Sequence, residues 1–138
     1  QAMPAAGYTA MFEKMLDHSN IKVMLNADYR ELKHLFPSTR TIYTGPIDEF
    51  FDYKFGPLPY RSTTFAEITI DVATVQSVGT INFPAEHDFT RVTELKHLTG
   101  QTTARTTLLY EYPRQHAPGE TEPYYPIPRD ETHMLLNK

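Results

Sequence analysis

Tyr60-Arg61-Ser62-Thr63-Thr64-Phe65-Ala66-Glu67-Ile68-Thr69-Ile70 decides the fold class. β-branched and aromatic side chains dominate this run, and they fit a pleated surface better than a helical one. Apolar and polar residues alternate from Thr64 to Ile70, which predicts a strand with one face packed and the other available. Gln76 to Phe83, Phe89 to Lys96 and Ala104 to Tyr112 share this character. Runs at such spacing predict an α+β fold with an antiparallel or mixed sheet of about four to six strands and short flanking helices. The available face is where a ligand would lie.

Toward the N-terminus, Thr9 is placed to cap a short helix through Asp17, with Phe12, Met15 and Leu16 on one face, and His18-Ser19-Asn20 ends it. Ile21 to Leu25 and Arg40 to Tyr43 have strand character and flank a polar stretch from Tyr29 to Ser38. Pro46 in a first turn, followed by Asp48 and Glu49, predicts a brief helix through Tyr53 that Gly56-Pro57 stops. Residues 113–129 carry Pro113, Pro118, Pro123, Pro126 and Pro128, so regular structure is not expected there. A last helix is expected from Asp130 to Asn137. The chain thus divides into a helical region, 1–57, and a sheet region with a Pro-rich end, 58–138.

At 138 residues and 40% hydrophobic content the chain can build one core. No apolar run approaches the roughly 18 residues of a membrane span, and Gln1-Ala2-Met3-Pro4 lacks the features of a signal peptide. A soluble, cytoplasmic protein is expected, in keeping with the absence of cysteine. A net charge of −4 argues against a nucleic-acid partner, since such binding draws on clustered Lys and Arg. Any phosphate must be gripped locally. Nine Tyr and eight Phe suit both sheet packing and the recognition of a polar small ligand.

Several chemistries lose support. The six glycines are isolated, so neither a dinucleotide fingerprint nor a P-loop assembles, and there is no nucleophile elbow. The six His residues show no ligand spacing, and no metal is assigned. Asp48 and Asp52 stand four apart, but capping or exposure explains them better than paired acid and base work.

Along the chain, in order, stand Gly7-Tyr8-Thr9, the aromatic run Tyr43-Thr44-Gly45-Pro46-Ile47-Asp48-Glu49-Phe50-Phe51-Asp52-Tyr53, and Leu58-Pro59-Tyr60-Arg61-Ser62. Ile81-Asn82-Phe83, Phe89-Thr90-Arg91-Val92 with Glu94 and Lys96-His97, Glu111-Tyr112-Pro113 and Glu122-Pro123-Tyr124-Tyr125-Pro126-Ile127 follow. This collinear set resembles the UDP-galactopyranose mutases, flavoenzymes that interconvert the pyranose and furanose forms of UDP-galactose in the building of cell-surface polysaccharide. Any one dipeptide among them would be weak; the order makes the resemblance specific.

The resemblance implies that Arg91, Tyr125 and Tyr8 hold the substrate diphosphate, where a guanidinium offers a planar fork of donors. Asn82 is implied to contact the sugar nucleotide, and Arg61 to sit near the flavin or the pyrophosphate. Tyr43, Thr44 and Gly45 are implied at the edge of the cofactor, reduced FAD, which performs covalent catalysis at the anomeric carbon with UDP as leaving group. On that scheme no residue here is catalytic; these groups orient the substrate and stabilise the leaving diphosphate. Read without the motifs, Arg91 and Arg61 equally suit ion pairs, Tyr8 and Tyr125 core positions, and Asn82 a turn cap.

The family's dinucleotide-binding segment, its uridine-stacking helices and its Gly-Gly-Arg stretch have no counterpart in these residues. The chain is therefore expected to be a piece of a larger FAD-binding enzyme, inactive and unable to hold FAD alone, with exposed apolar surface that favours a homodimer. A stand-alone sugar-nucleotide binding module and a purely structural β-rich domain are the alternatives.

Overall fold

A computed structural model describes residues 3–35, 37–38 and 40–137. The chain forms two compact units, residues 1–43 and 44–138.

In the first unit, helix α1 spans Gly7–Leu16 and a single turn, α2, spans Tyr29–Leu32. The expected cap at Thr9 is corrected: α1 starts at Gly7 behind Ala6, with no side-chain cap. Gly7 takes φ 84°, a conformation that glycine adopts without steric cost, so the chain enters the helix ahead of Thr9. In α2, Asp28 caps through its side chain by accepting from the Arg30 amide at 2.8 Å. The Arg30 guanidinium beside Asp28, with that backbone bond, holds its carboxyl below the usual range. The strands expected at 21–25 and 40–43 are not formed: no strand pairs with either run among the described residues, and an extended run without a ladder leaves its backbone groups to water. Asn26, at φ 53°, turns the chain directly after the first run. None of this unit's described residues is buried.

The second unit opens with α3 (Ile47–Phe50). It stops short of Tyr53 because Asp52 and Tyr53 both take left-handed backbone, at φ 51° and 53°. Asp48 then ties the turn to the sheet, accepting from the Leu58 amide at 2.8 Å and from the Tyr60 hydroxyl at 2.9 Å.

A five-stranded antiparallel sheet follows, ordered β2-β3-β4-β1-β5. β1 is Tyr60–Ile70, β2 Thr80–Asn82, β3 Arg91–Glu94, β4 Thr106–Gln115 and β5 Tyr125–Pro126. A short helix, α4 (Leu95–Thr99), lies between β3 and β4, and α5 (Asp130–Leu136) ends the chain. β1 has the bounds the sequence predicts. β2 is shorter than the expected 76–83, because the amides of Val75 and Gln76 donate to the Glu94 carboxylate and not to a neighbouring strand. The Pro-rich stretch is more regular than expected: β4 runs through Pro113 to Gln115, and β5 forms at Tyr125–Pro126. Odd-numbered residues of β4 direct their backbone toward β3, as Glu111 does in accepting from the Thr90 amide at 2.9 Å. Pro113 has that direction too, and β3 pairs β4 only as far as Glu111, so its missing N–H leaves no ladder bond broken.

Alternation sorts the sheet into two faces. Tyr60, Ser62, Val92, Glu94, Thr106 and Leu108 are buried on one of them. Phe89 packs on the same side, edge-on to Tyr110 at 5.0 Å and to Phe83 at 5.1 Å. Burial of Tyr60, with the Asp48 carboxylate accepting its hydrogen bond, pushes the phenol well above its ordinary value.

Candidate functional site

On the opposite face, pairing aligns a row of polar groups across three strands. Asn82 stands beside Arg91, and Arg91 beside Glu111. Arg91 Nε donates to Asn82 Oδ1 at 2.9 Å, and Nη1 lies 3.5 Å from Glu111 Oε2. Two acceptors on one guanidinium fix its plane, while its side chain keeps 47% of its exposure. A guanidinium oriented in this way and still wet on one side is suited to an anion.

Local sequence explains the arrangement. Ile81-Asn82-Phe83 and Phe89-Thr90-Arg91 are the two ends of one hairpin, closed by the Phe83 amide donating to the Thr90 carbonyl at 2.9 Å. Strand alternation sends Asn82 and Arg91 forward and Phe83 back, where it meets Phe89 and His87. One pattern therefore supplies both the grip and its foundation.

Arg61 and Tyr125 form a second pair, directly opposite each other on β1 and β5. Phe65 is abreast of Glu111, and Arg61 is four residues from it, so register places both pairs on the same face. Standard strand spacings put Arg61 roughly 13 Å along and about 10 Å across from Arg91.

Tyr8 belongs to the first unit, where its hydroxyl donates to Met3 Sδ at 3.4 Å and its ring is exposed. Tyr43 lies in that unit too, its ring tilted 5.6 Å from Tyr29. Thr44 and Gly45 run in irregular backbone ahead of α3. Glu111, given no role from sequence, joins the row because cross-strand register brings it there; its place in Glu111-Tyr112-Pro113 was the available signal.

A concavity of about 1010 Å³ lies elsewhere on this unit and is lined by Asp48, Glu49, Tyr60, His116, Glu120 and Glu122 among others. Its carboxylates give it the wrong sign for a diphosphate.

The UDP-galactopyranose mutase family model matches residues 1–138. The chain is 34% identical to a probable UDP-galactopyranose mutase of Klebsiella pneumoniae, over 100% of its own length and 36% of that protein. It is 34% identical to the UDP-galactopyranose mutase of Mycoplasma genitalium and 31% identical to the dTDP-fucopyranose mutase of Escherichia coli, in each case over 100% of its own length and 38% of the relative. It thus spans little more than a third of these relatives. With the motif order, the sheet and the whole-length match in agreement, the chain belongs to the UDP-galactopyranose mutase family.

Proposed function

We propose that this chain supplies the diphosphate-binding sheet face of a mutase that interconverts UDP-galactopyranose and UDP-galactofuranose. The observation that carries the reading is the Asn82-Arg91-Glu111 row, which aims a fixed, half-exposed guanidinium away from the packed side of the sheet. The relatives' names support the ligand class, because UDP-galactopyranose and dTDP-fucopyranose differ in base and sugar and share the diphosphate. Arg91 grips that shared group. Tyr125 supplies a further contact to the diphosphate, and Arg61, opposite it on β1, sits near the flavin or the pyrophosphate.

Flavin chemistry belongs, on this proposal, to the full-length protein. Among the described residues there is no βαβ unit, and Tyr43, Thr44 and Gly45 would lie at the edge of the cofactor. Reduced FAD would supply the covalent step at the sugar; the groups named here bind and orient the substrate and offset charge on the departing UDP. The isolated chain is inactive on this reading, and the whole protein cytoplasmic; no described helix is long and apolar enough to cross a membrane. Isothermal calorimetry of the full-length protein with UDP tests the assignment. Binding that Arg91→Ala abolishes supports it, and unchanged binding refutes it.

A further inference from the structure

β2 has three residues and lies at the sheet edge, so its own ladder specifies its register weakly. Register matters here, because a one-residue slip turns Asn82 away from Arg91. The segment leading into the strand is held from behind. The fully buried Glu94 carboxylate accepts from the amides of Val75 at 3.2 Å and Gln76 at 2.7 Å, and from Thr106 Oγ1 at 2.6 Å. Its own amide donates to the Gly79 carbonyl at 2.8 Å, one residue before β2. His97 Nε2 lies 3.0 Å from the Gln76 carbonyl and 3.3 Å from Glu94 Oε2, and Lys96 Nζ donates to the Ala73 carbonyl at 2.6 Å. Gly79 is pressed close: an added Cβ there would meet the Leu98 side chain at 3.2 Å. The strand is thereby pinned at its entrance by Glu94 and at its exit by the Phe83–Phe89 contact.

We propose that Glu94 is a positioning residue of the anion site: by clamping residues 73–79 it sets the register of β2 on β3, and through Asn82 it sets the plane of the Arg91 guanidinium. This rests on the reading of Arg91 as the diphosphate-binding group. Glu94 points to the packed face and touches no ligand. A carboxylate suits the post because several donors converge on it, whereas an amide brings a donor of its own into the cluster.

The test compares Glu94→Gln, Asn82→Ala, their double variant and Arg91→Ala in the full-length protein, with UDP affinity by calorimetry, melting temperature, and hydrogen exchange over residues 75–82 without ligand. Glu94→Gln is expected to weaken UDP roughly fivefold, the scale of one positioning hydrogen bond, and to speed exchange in 75–82. The double variant is expected to bind no more weakly than Asn82→Ala, since both act through one path. A lowered melting temperature with unchanged UDP affinity, or losses that multiply in the double variant, overturns the proposal. If Arg91→Ala leaves UDP binding intact, the diphosphate reading fails instead, and the exchange measurement still decides whether Glu94 holds β2. Should Glu94→Gln not fold, His97→Ala, which removes only the clamp's outer contact, carries the same comparison.

Discussion

The Tyr60 hydroxyl donates to Asp48 Oδ1 at 2.9 Å, joining the turn of α3 to the first residue of β1 across twelve positions of sequence. The other Asp48 oxygen takes the Leu58 amide. Asp48→Ala strands both donors and is expected to cost about 1–3 kcal/mol, against about 1 kcal/mol for Tyr60→Phe. Chemical denaturation of the two single variants and the double checks this, and additive losses would show that the two groups are not coupled.

Alkaline stability follows from the same pair. The phenol's pKa is raised in the fold by burial and by the bond to Asp48, so above about pH 10 the unfolded chain releases a proton that the folded one keeps. Stability is present below that pH and falls above it. Denaturation midpoints measured between pH 8 and 11 are expected to decline at the upper end in the native protein and to decline less in Tyr60→Phe.

Acid acts through Glu94. Burial opposes its charge, but hydrogen bonds from Thr106, Gln76 and Val75, with His97 beside it, outweigh that and hold the carboxyl down at about 2. A depressed folded pKa gives stability that is full above the ordinary value of 4.5 and is lost as pH falls toward 2. Melting temperatures scanned from pH 6 to 2 are expected to fall over this window, and the Glu94→Gln curve to be flatter.

On the proposed function, Arg91→Ala in the full-length protein is expected to lower kcat/KM on the order of a hundredfold while flavin absorbance stays unchanged. Arg91→Lys keeps the charge and loses the fork that meets Asn82 and Glu111, so an intermediate loss is expected. Steady-state kinetics beside absorbance spectra distinguish a substrate grip from a cofactor contact.

Arg61 and Arg91 are separable by ligand size. Inhibition by inorganic pyrophosphate is expected to weaken strongly in Arg91→Ala, whose guanidinium Asn82 and Glu111 hold in place, and less in Arg61→Ala. The intact sugar nucleotide is expected to register both losses. Equal sensitivity of pyrophosphate to both substitutions would contradict the separation.

Sheet content was legible because β-branched and aromatic residues crowd Tyr60 to Ile70 and alternate from Thr64, both local signals, and β1 has the bounds of that run. The strand runs at 21–25 and 40–43 misled because propensity cannot supply a partner strand. Pro113 in β4 was hidden for the converse reason: whether a proline breaks a ladder depends on where the neighbour ends, which only pairing shows. In the site, Asn82 and Arg91 were named separately from motifs, and register makes them a pair. Glu111 and Glu94 carried no spacing signal of their own, since both act across strands.

Pro113 also bears on how copies of this protein meet. Where β3 ends, β4 exposes a short notch that could seat a strand from another molecule, yet at that position it offers a carbonyl and no amide hydrogen. A visiting strand would find half its ladder missing. The gap beside Arg91 and Glu111 is thus poorly suited to edge-to-edge pairing, because the pyrrolidine ring of Pro113 removes the donor a visiting strand would need.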